Sequence, residues 1–429
     1  MRRWAAFLVL VAALVACRGE SAPAGSPPLL DTPPPSTVVP VFDPQRALEH
    51  VRRLSVDIGP RPAGSPAEEE AARYLVQVLE SYGYRVEQQS FAIRPTLTRE
   101  VELRLRSPVA RSIDAMAIVF SPAGQAEAEL VYAGQGRLEE FPAAARGRIA
   151  LVQRGGITFA EKVGNAFRAG AVAVIVFNDR PGPFLGVMPQ GAALPAVAIT
   201  QEDGQALMQM LLQGPVRAFL RVAEPSVRSS YNVLARPPNG ECRLLVGGHY
   251  DSVPISPGAN DNASGTATVL ELARILADDP LRGGVCFALF GAEEEGLLGS
   301  REFVARLNVE ERPRLLAMIN LDMVGVGDRW LLVGTRELVQ EAAKQAEALG
   351  AAYQVGDLPP GFSSDHASFL EAGIPAVFFH RQDDPRYHSP EDKAQYVDGA
   401  ALAEAARMTL AVIDALLGIG RPALVPSAP

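Results

Sequence analysis

Only five histidines occur in this 429-residue chain, so their placement carries information. His249 follows the apolar run LLVGG, with Asp251 two residues on. Glu293 and Glu294 follow FALFGA, Asp322 follows AMINL, the loop GANDNASG carries Asp261, and RYHSPED carries His388. Imidazole nitrogens with carboxylate oxygens form a ligand set that suits zinc. Two metal ions about 3.5–4 Å apart need a shared ligand, and Asp261, in its glycine-flanked loop, suits that role. His249, Asp261 and Asp322 can then hold one ion, and Glu294, Asp261 and His388 the other. Glu293, adjacent to a ligand, is left to take and return a proton. Asp251 is placed to orient the His249 imidazole. Two cations also make a run of three glutamates at the mouth of a core favourable.

Each residue alone has a plainer reading. His249 and His388 would pass for surface or core histidines, Asp322 for a cap of the next element, and Asp261 for a turn residue in NDN. Glu295 reads as a solvated charge at a helix start. Tyr387 reads equally as an oxyanion donor or a packing aromatic. His380, at a strand end, and His50, on the first helix, read as structural.

The elements around these residues have β-α-β grammar. SYNVLARP and CRLLVGGHYD read as strands, ASGTATVLELARILAD as a helix, GGVCFALFGAEE as a strand and LGSREFVARL as a helix. LLAMINLDMVG, ELVQEAAKQAEALG, PAVFFH and YVDGAALAEAARMTLAVIDALLG continue the pattern. Near-continuous apolar strands alternating with helices predict an α/β fold with a mostly parallel sheet covered on both faces. Sites in such sheets lie beyond the carboxyl ends of the strands, where these ligand-type residues fall.

The remainder divides by texture. DPQRALEHVRRLS and SPAEEEAARYLVQVLESYGY predict capped helices with proline at the first position, and RVEQQSFAI a strand. From 107 to 225, short apolar runs alternate with glycine turns, as in a small module with its own core. MRRWAAFLVLVAALVAC predicts an export signal over 1–16, and LVAC resembles a bacterial lipobox with Cys17 as the lipidated residue. The segment 17–42 is rich in proline and reads as a tether, and 419–429 as a disordered tail. The formal net charge of −9 argues against a nucleic-acid partner. The expectation is an exported protein held to a bacterial membrane only through Cys17, of unknown oligomeric state.

GGHYDSV, GANDNASG, FGAEEEGLLGS, NLDMVG, SSDHASFLEAGIP and YHSPED together resemble metallopeptidase family twenty-eight, the co-catalytic zinc aminopeptidases. The resemblance covers about 44–106 and 226–418. GRIALVQRGGITFAEKVGNAFRAGAVAVIVFND and LPAVAITQEDGQAL, between them, resemble the protease-associated (PA) domain. The resemblance implies a three-layer α/β/α zinc-exopeptidase fold with a mixed, mostly parallel sheet, divided into 43–106 and 226–418 by an inserted PA domain at 107–225. It implies two Zn²⁺ ions held by His249, Asp261, Glu294, Asp322 and His388. The implied reaction is removal of N-terminal residues from peptides with a free N-terminus, by a metal-bridging hydroxide with Glu293 as general base. His366, in SSDHASF, follows the family pattern without being a ligand there and is expected to support the pocket through hydrogen bonds.

Glutaminyl cyclases and carboxypeptidase-type enzymes are relatives, and Arg381 and Arg386 near His388 keep the second open. A catalytically silent binding protein is the alternative of another class. In the resembling family the strands opened by Cys242 and Cys286 are parallel neighbours. Each cysteine lies seven residues before its motif residue, so a disulfide and a pair of buried thiols are both open.

Overall fold

The computed structural model describes residues 41–419, apart from 239, 278, 280–282 and 360. The expected signal segment, Cys17, residues 18–40 of the tether and residues 420–429 of the tail lie outside them. Helix α1 (Pro44–Arg52) starts as its sequence predicts, with Asp43 accepting from the Gln45 and Arg46 amides and proline in the first turn. Helix α2 (Pro66–Ser81) repeats the device with Ser65, which accepts from the Glu68 amide. Such caps satisfy donors that a helix start leaves unpaired. Strand β1 (Arg85–Ile93) follows.

The chain then builds a separate sheet before returning. Its elements are β2 (Val101–Ser107), β3 (Arg111–Ser112), β4 (Met116–Ala117), β5 (Gly124–Tyr132), β6 (Ile149–Gln153), α3 (Phe159–Arg168), β7 (Ala173–Phe177), β8 (Ala196–Ile199), α4 (Gln201–Gln213) and β9 (Arg217–Val222). The strand order is β3-β2-β9-β5-β6-β7-β8-β4. One face buries Ile149, Leu151 and Ile175 against Leu207 of α4. The other buries Ala150, Val152 and Val174 against Val163 and Ala166 of α3. This is the period-2 alternation of a sheet covered on both sides. The expected boundary at 107 falls too late. β2 pairs with β9 from Val101 onward, so the crossing segments are 94–100 and 223–227.

The larger sheet resumes with β10 (Arg228–Arg236), β11 (Leu244–His249), α5 (Gly265–Leu276), β12 (Val285–Phe290), α6 (Leu298–Arg306), β13 (Ala317–Leu321), β14 (Trp330–Gly334), α7 (Arg336–Leu349), β15 (Tyr353–Val355), α8 (His366–Glu371), β16 (Ala376–Arg381) and α9 (Gly399–Leu417). The order is β1-β10-β12-β11-β13-β16-β14-β15. The central four, β12, β11, β13 and β16, are mutually parallel. β1, β10 and β14 join antiparallel. α1, α2, α5, α7 and α9 pack on the face of Val246, Phe287 and Ile319. α6 and α8 pack on the face of Leu245, Cys286, Phe290 and Met318. The result is three layers. β11 is the switch point, with β12 on one side and β13 on the other, where such sheets open a crevice.

Cys242 and Cys286 form a disulfide with Cα atoms 5.4 Å apart. The equal seven-residue spacing does not put them level, because Cys286 lies opposite Leu245 in the ladder. The Arg243 and Leu244 amides both donate to the Gly284 carbonyl. Cys242 therefore precedes the paired strand and escapes the parallel side-chain direction that works against bonding. Closing a 44-residue separation stabilises by roughly 3–4 kcal/mol in the chain-entropy account.

His50 is structural, as read. Its Nδ1 lies 2.5 Å from the Tyr74 hydroxyl. Burial, with the Arg46 charge, lowers its pKa from 6.5 to about 4. The folded state therefore resists a proton that the unfolded state accepts, and stability is lost as pH falls from 6.5 towards 4. Urea unfolding at pH 7 and pH 4 should show wild type losing on the order of 2 kcal/mol more than H50Q. Equal losses would overturn the assignment.

Candidate metal centre

The carboxyl ends of the four parallel strands deliver the residues. His249 ends β11, Glu293 and Glu294 follow β12 after Gly291 and Ala292, Asp322 follows β13, and His388 stands in the loop after β16. Two glycines allow the close approach. A Cβ at Gly248 would sit 2.3 Å from the Leu321 carbonyl oxygen, and one at Gly291 would sit 2.6 Å from Glu68 Oε1. Beneath the glutamate loop, Phe290 packs against Phe303 and Phe369 at ring separations of 5.9 and 6.1 Å, which fixes the strand end to α6 and α8.

Asp261 lies between the two histidines. Its Oδ1 is 3.2 Å from His249 Nε2, and its Oδ2 is 3.2 Å from His388 Nε2. His249 Nε2 also approaches Asp322 Oδ1 at 3.4 Å, and His388 Nε2 approaches Glu294 Oε2 at 3.0 Å. His249, Asp261, Asp322 and Glu293 are all buried. Yet Asp322 Oδ1 and Glu294 Oε1 make no hydrogen bond. Buried polar atoms left without partners are costly, and atoms aimed at shared points are what a cation would satisfy. Nitrogen and oxygen donors suit zinc.

Among the described residues, two sets of donor atoms are close enough to hold an ion: His249, Glu293 and Asp322; and His249, Asp261 and Glu294. Glu293 is thus within a ligand's reach as well as a base's, so proximity alone does not divide the roles of the two glutamates.

Asp251 sits under the centre. Its Oδ1 is 3.5 Å from His249 Nδ1, and its two oxygens accept from the Glu293 and Glu294 amides at 3.1 and 3.3 Å. It therefore steadies the glutamate loop by hydrogen bonds and faces the His249 ring by charge alone, without a hydrogen bond. Asp261 is held by Asp392, which accepts from the Asn260 and Asp261 amides. Ser364 donates to Asp322 Oδ2 at 2.8 Å.

The electrostatics are those of crowded acids between two bases. Burial pushes the Glu293 carboxyl well above its ordinary value, with the His249 charge opposing. Burial raises Glu294 to about 7, with His388 opposing. For Asp261 burial also works upward, but hydrogen bonds and charge from His249 and His388 outweigh it and hold the group below its ordinary value. Burial would lower both imidazoles. The charges of Glu293 and Asp322 raise His249 instead, and Glu294 and Asp261 raise His388.

Other residues fall differently. Tyr387 stacks on the His388 ring at 3.7 Å between centroids and lines the cavity. His366 stacks on Phe378 at 4.7 Å, and its Nδ1 makes no hydrogen bond, contrary to the expected hydrogen-bonded support. Arg381 is spent on the Gly327 carbonyl, on Glu404 and on the face of Trp330. Arg386 is spent on Asp384 and the Tyr396 ring. Neither arginine lines the cavity, which removes the basic pocket that a carboxypeptidase reading needs. Glu295 is not solvated. Its carboxylate accepts from Thr96 and Leu97.

Sequence reasoning missed several participants. His380, read as structural, lines the cavity with its Nδ1 3.2 Å from the Asp322 carbonyl oxygen. Asp365 is fully buried, and burial pushes its carboxyl up to about 7. Its place in SSDHASF was the available signal. Arg61, inside a glycine-proline stretch, is fully buried and donates to the carbonyls of Tyr250, Pro257 and Gly258, pinning the chain that leads into Asp261.

The cavity above the centre has a volume of about 270 Å³. Its apolar wall is Met323, Leu331, Leu358, Phe362 and Phe378.

Residues 232–413 match Peptidase family M28, and residues 126–207 match the PA domain. Aminopeptidase YwaD of Bacillus subtilis is 35% identical over 400 residues, 87% of this chain and 84% of the relative. A probable leucine aminopeptidase 2 of Aspergillus fumigatus is 32% identical over 343 residues, 74% of this chain and 67% of the relative. The structure of BSAP, a zinc aminopeptidase from Bacillus subtilis, superimposes with a TM-score of 0.75 and 33% identity, over 88% of this chain and 96% of that one. Identity at that level along most of both chains, on a shared fold, establishes that this chain belongs to peptidase family M28 and carries an inserted PA domain.

Proposed function

We infer that this chain is a zinc-dependent aminopeptidase working with two metal ions per chain. The observation that carries the reading is Asp261, whose two oxygens each face a different histidine. His249 and Asp322 would complete one ion's protein ligands, and His388 and Glu294 the other's. Zinc at these positions supplies Lewis acidity, polarising a carbonyl and acidifying water.

The chain's own residues do the rest. Glu293 takes a proton from the attacking water and returns it to the leaving amine. Its side chain is buried beside the His249 and Asp322 donors, where a proton shuttle must stand. Asp251 holds the glutamate loop through its two amides and places its charge beside the His249 ring. The apolar wall of the cavity receives an apolar N-terminal side chain, while the exposed Asp383, which also lines it, favours a free ammonium group.

Leucyl- and glutamyl-nitroanilides, an N-acetylated leucyl substrate and a chelator test this reading. Leucyl substrate should turn over fastest, the acetylated one should resist, and chelation should abolish activity until zinc is restored. Cleavage of blocked peptides in preference to free ones would overturn the assignment.

Export and lipid anchorage at Cys17 belong to the same proposal. Arg2, Arg3 and the apolar stretch up to LVAC support it, as does a disulfide, which persists in oxidising compartments. C17S should release the protein from the membrane fraction; retention there would refute the anchor.

A further inference from the structure

Glu295 has no part in the metal centre. It does not line the cavity, and both its oxygens are spent elsewhere. Oε2 accepts from the Thr96 amide at 2.7 Å and the Thr96 hydroxyl at 2.8 Å, and Oε1 accepts from the Leu97 amide at 3.0 Å. Thr96 and Leu97 lie in the segment that leaves β1 for the PA domain. We propose that Glu295 is a positioning residue, fastening the loop of Glu293 and Glu294 to that segment, so that the seating of the PA domain sets the pose of the general base.

The loop needs holding from outside. Ala292 and Leu297 both have positive φ, 53° and 62°, a region that non-glycine residues occupy only when their surroundings enforce it. Asp251 supplies one anchor through the Glu293 and Glu294 amides, and Glu295 supplies the other. Charge-assisted bonds of this kind are stronger than neutral ones.

The same segment touches the loop and the second domain at once. Phe91 and Ile93, at the end of β1, pack on Ala292. Leu97 is buried with Val119 of the PA domain and with Val253, two residues beyond Asp251. The outgoing and returning crossings are tied to each other, with Arg99 Nε donating to the Ala223 carbonyl at 2.9 Å and Arg228 donating to Thr98. A shift of the PA domain therefore reaches Thr96, and through Glu295 the loop of the base.

The proposal rests on Glu293 as base, and its test separates the two. In E295Q, one acceptor becomes a donor facing an N–H. T96V removes only the hydroxyl donor. Amide exchange is measured on the zinc-loaded full chain, together with kcat and KM on a leucyl substrate. Protection should fall together in 94–99 and 291–297 of E295Q. Its kcat should drop by about tenfold to a hundredfold, the scale of an ångström-level misplacement, at nearly constant KM. T96V should show the same pattern more weakly. Protection lost in 94–99 alone, with kcat unchanged, would reduce the tie to domain attachment and overturn the proposal. Should E295Q not fold, T96V decides by the same criteria. If wild type has no turnover on any aminoacyl substrate, the functional reading fails, and the paired or unpaired loss of protection alone judges the tie.

Discussion

Replacing Glu293 with Gln should lower kcat by about 10²–10⁴-fold, the range of a positioned general base, while fold and zinc content persist. Glutamine keeps the volume and one carbonyl oxygen but cannot take a proton. The amide of residue 293 still donates to Asp251, so the loop keeps that anchor. Removing one carboxylate from a buried group that includes Glu294, Asp322 and Asp365 also relieves repulsion, so the metal-free protein should be no less stable. With the effect confined to the chemical step, kcat and kcat/KM should fall together. Because Glu293 also lies within ligand range of His249 and Asp322, zinc analysis is the decisive companion measurement. Loss of an ion from E293Q would mean that Glu293 and Glu294 have been assigned in the wrong order.

Replacing Asp261 with Asn should cost metal as well as rate. One oxygen facing a histidine would become an N–H₂ donor, and a donor cannot ligate a cation. Zinc per chain after dialysis should fall from two to at most one. Activity should fall by more than about a hundredfold, the upper scale seen when only an outer partner of a metal ligand is lost. H388A should remove one ion and spare the other, because His249 and Asp322 lie on the far side of Asp261. Two tightly held zinc ions in D261N would rule out a shared carboxylate.

The outer partners of the centre explain why these two substitutions should behave so differently. The backbone of Asp261 is gripped by Asp392, and the chain before it by Arg61. D261N therefore leaves the loop in place and tests the carboxylate itself. E293Q tests proton transfer on a loop that keeps Asp251 and Glu295 as anchors.

Much of this protein is written locally. The caps Asp43 and Ser65, the alternation of RVEQQSFAI, the apolar strands and the ligand-type residues after them are all visible without any contact, because helix and strand periods and side-chain chemistry are properties of short segments. Tertiary closure decided the rest. Cys242 reaches Cys286 from just before β11, where the Arg243 and Leu244 amides share the Gly284 carbonyl. Arg381 and Arg386, suggestive beside His388, turn to Glu404 and Asp384 instead. Glu295, apparently a surface charge, is bonded to Thr96, 199 residues away in sequence, and Glu293 to Asp251, 42 residues away. A hydrogen-bond partner is chosen by which groups lose their water together when distant segments pack. Candidate ligand and base residues are therefore legible in the sequence, while the residues that hold them in place are selected by folding.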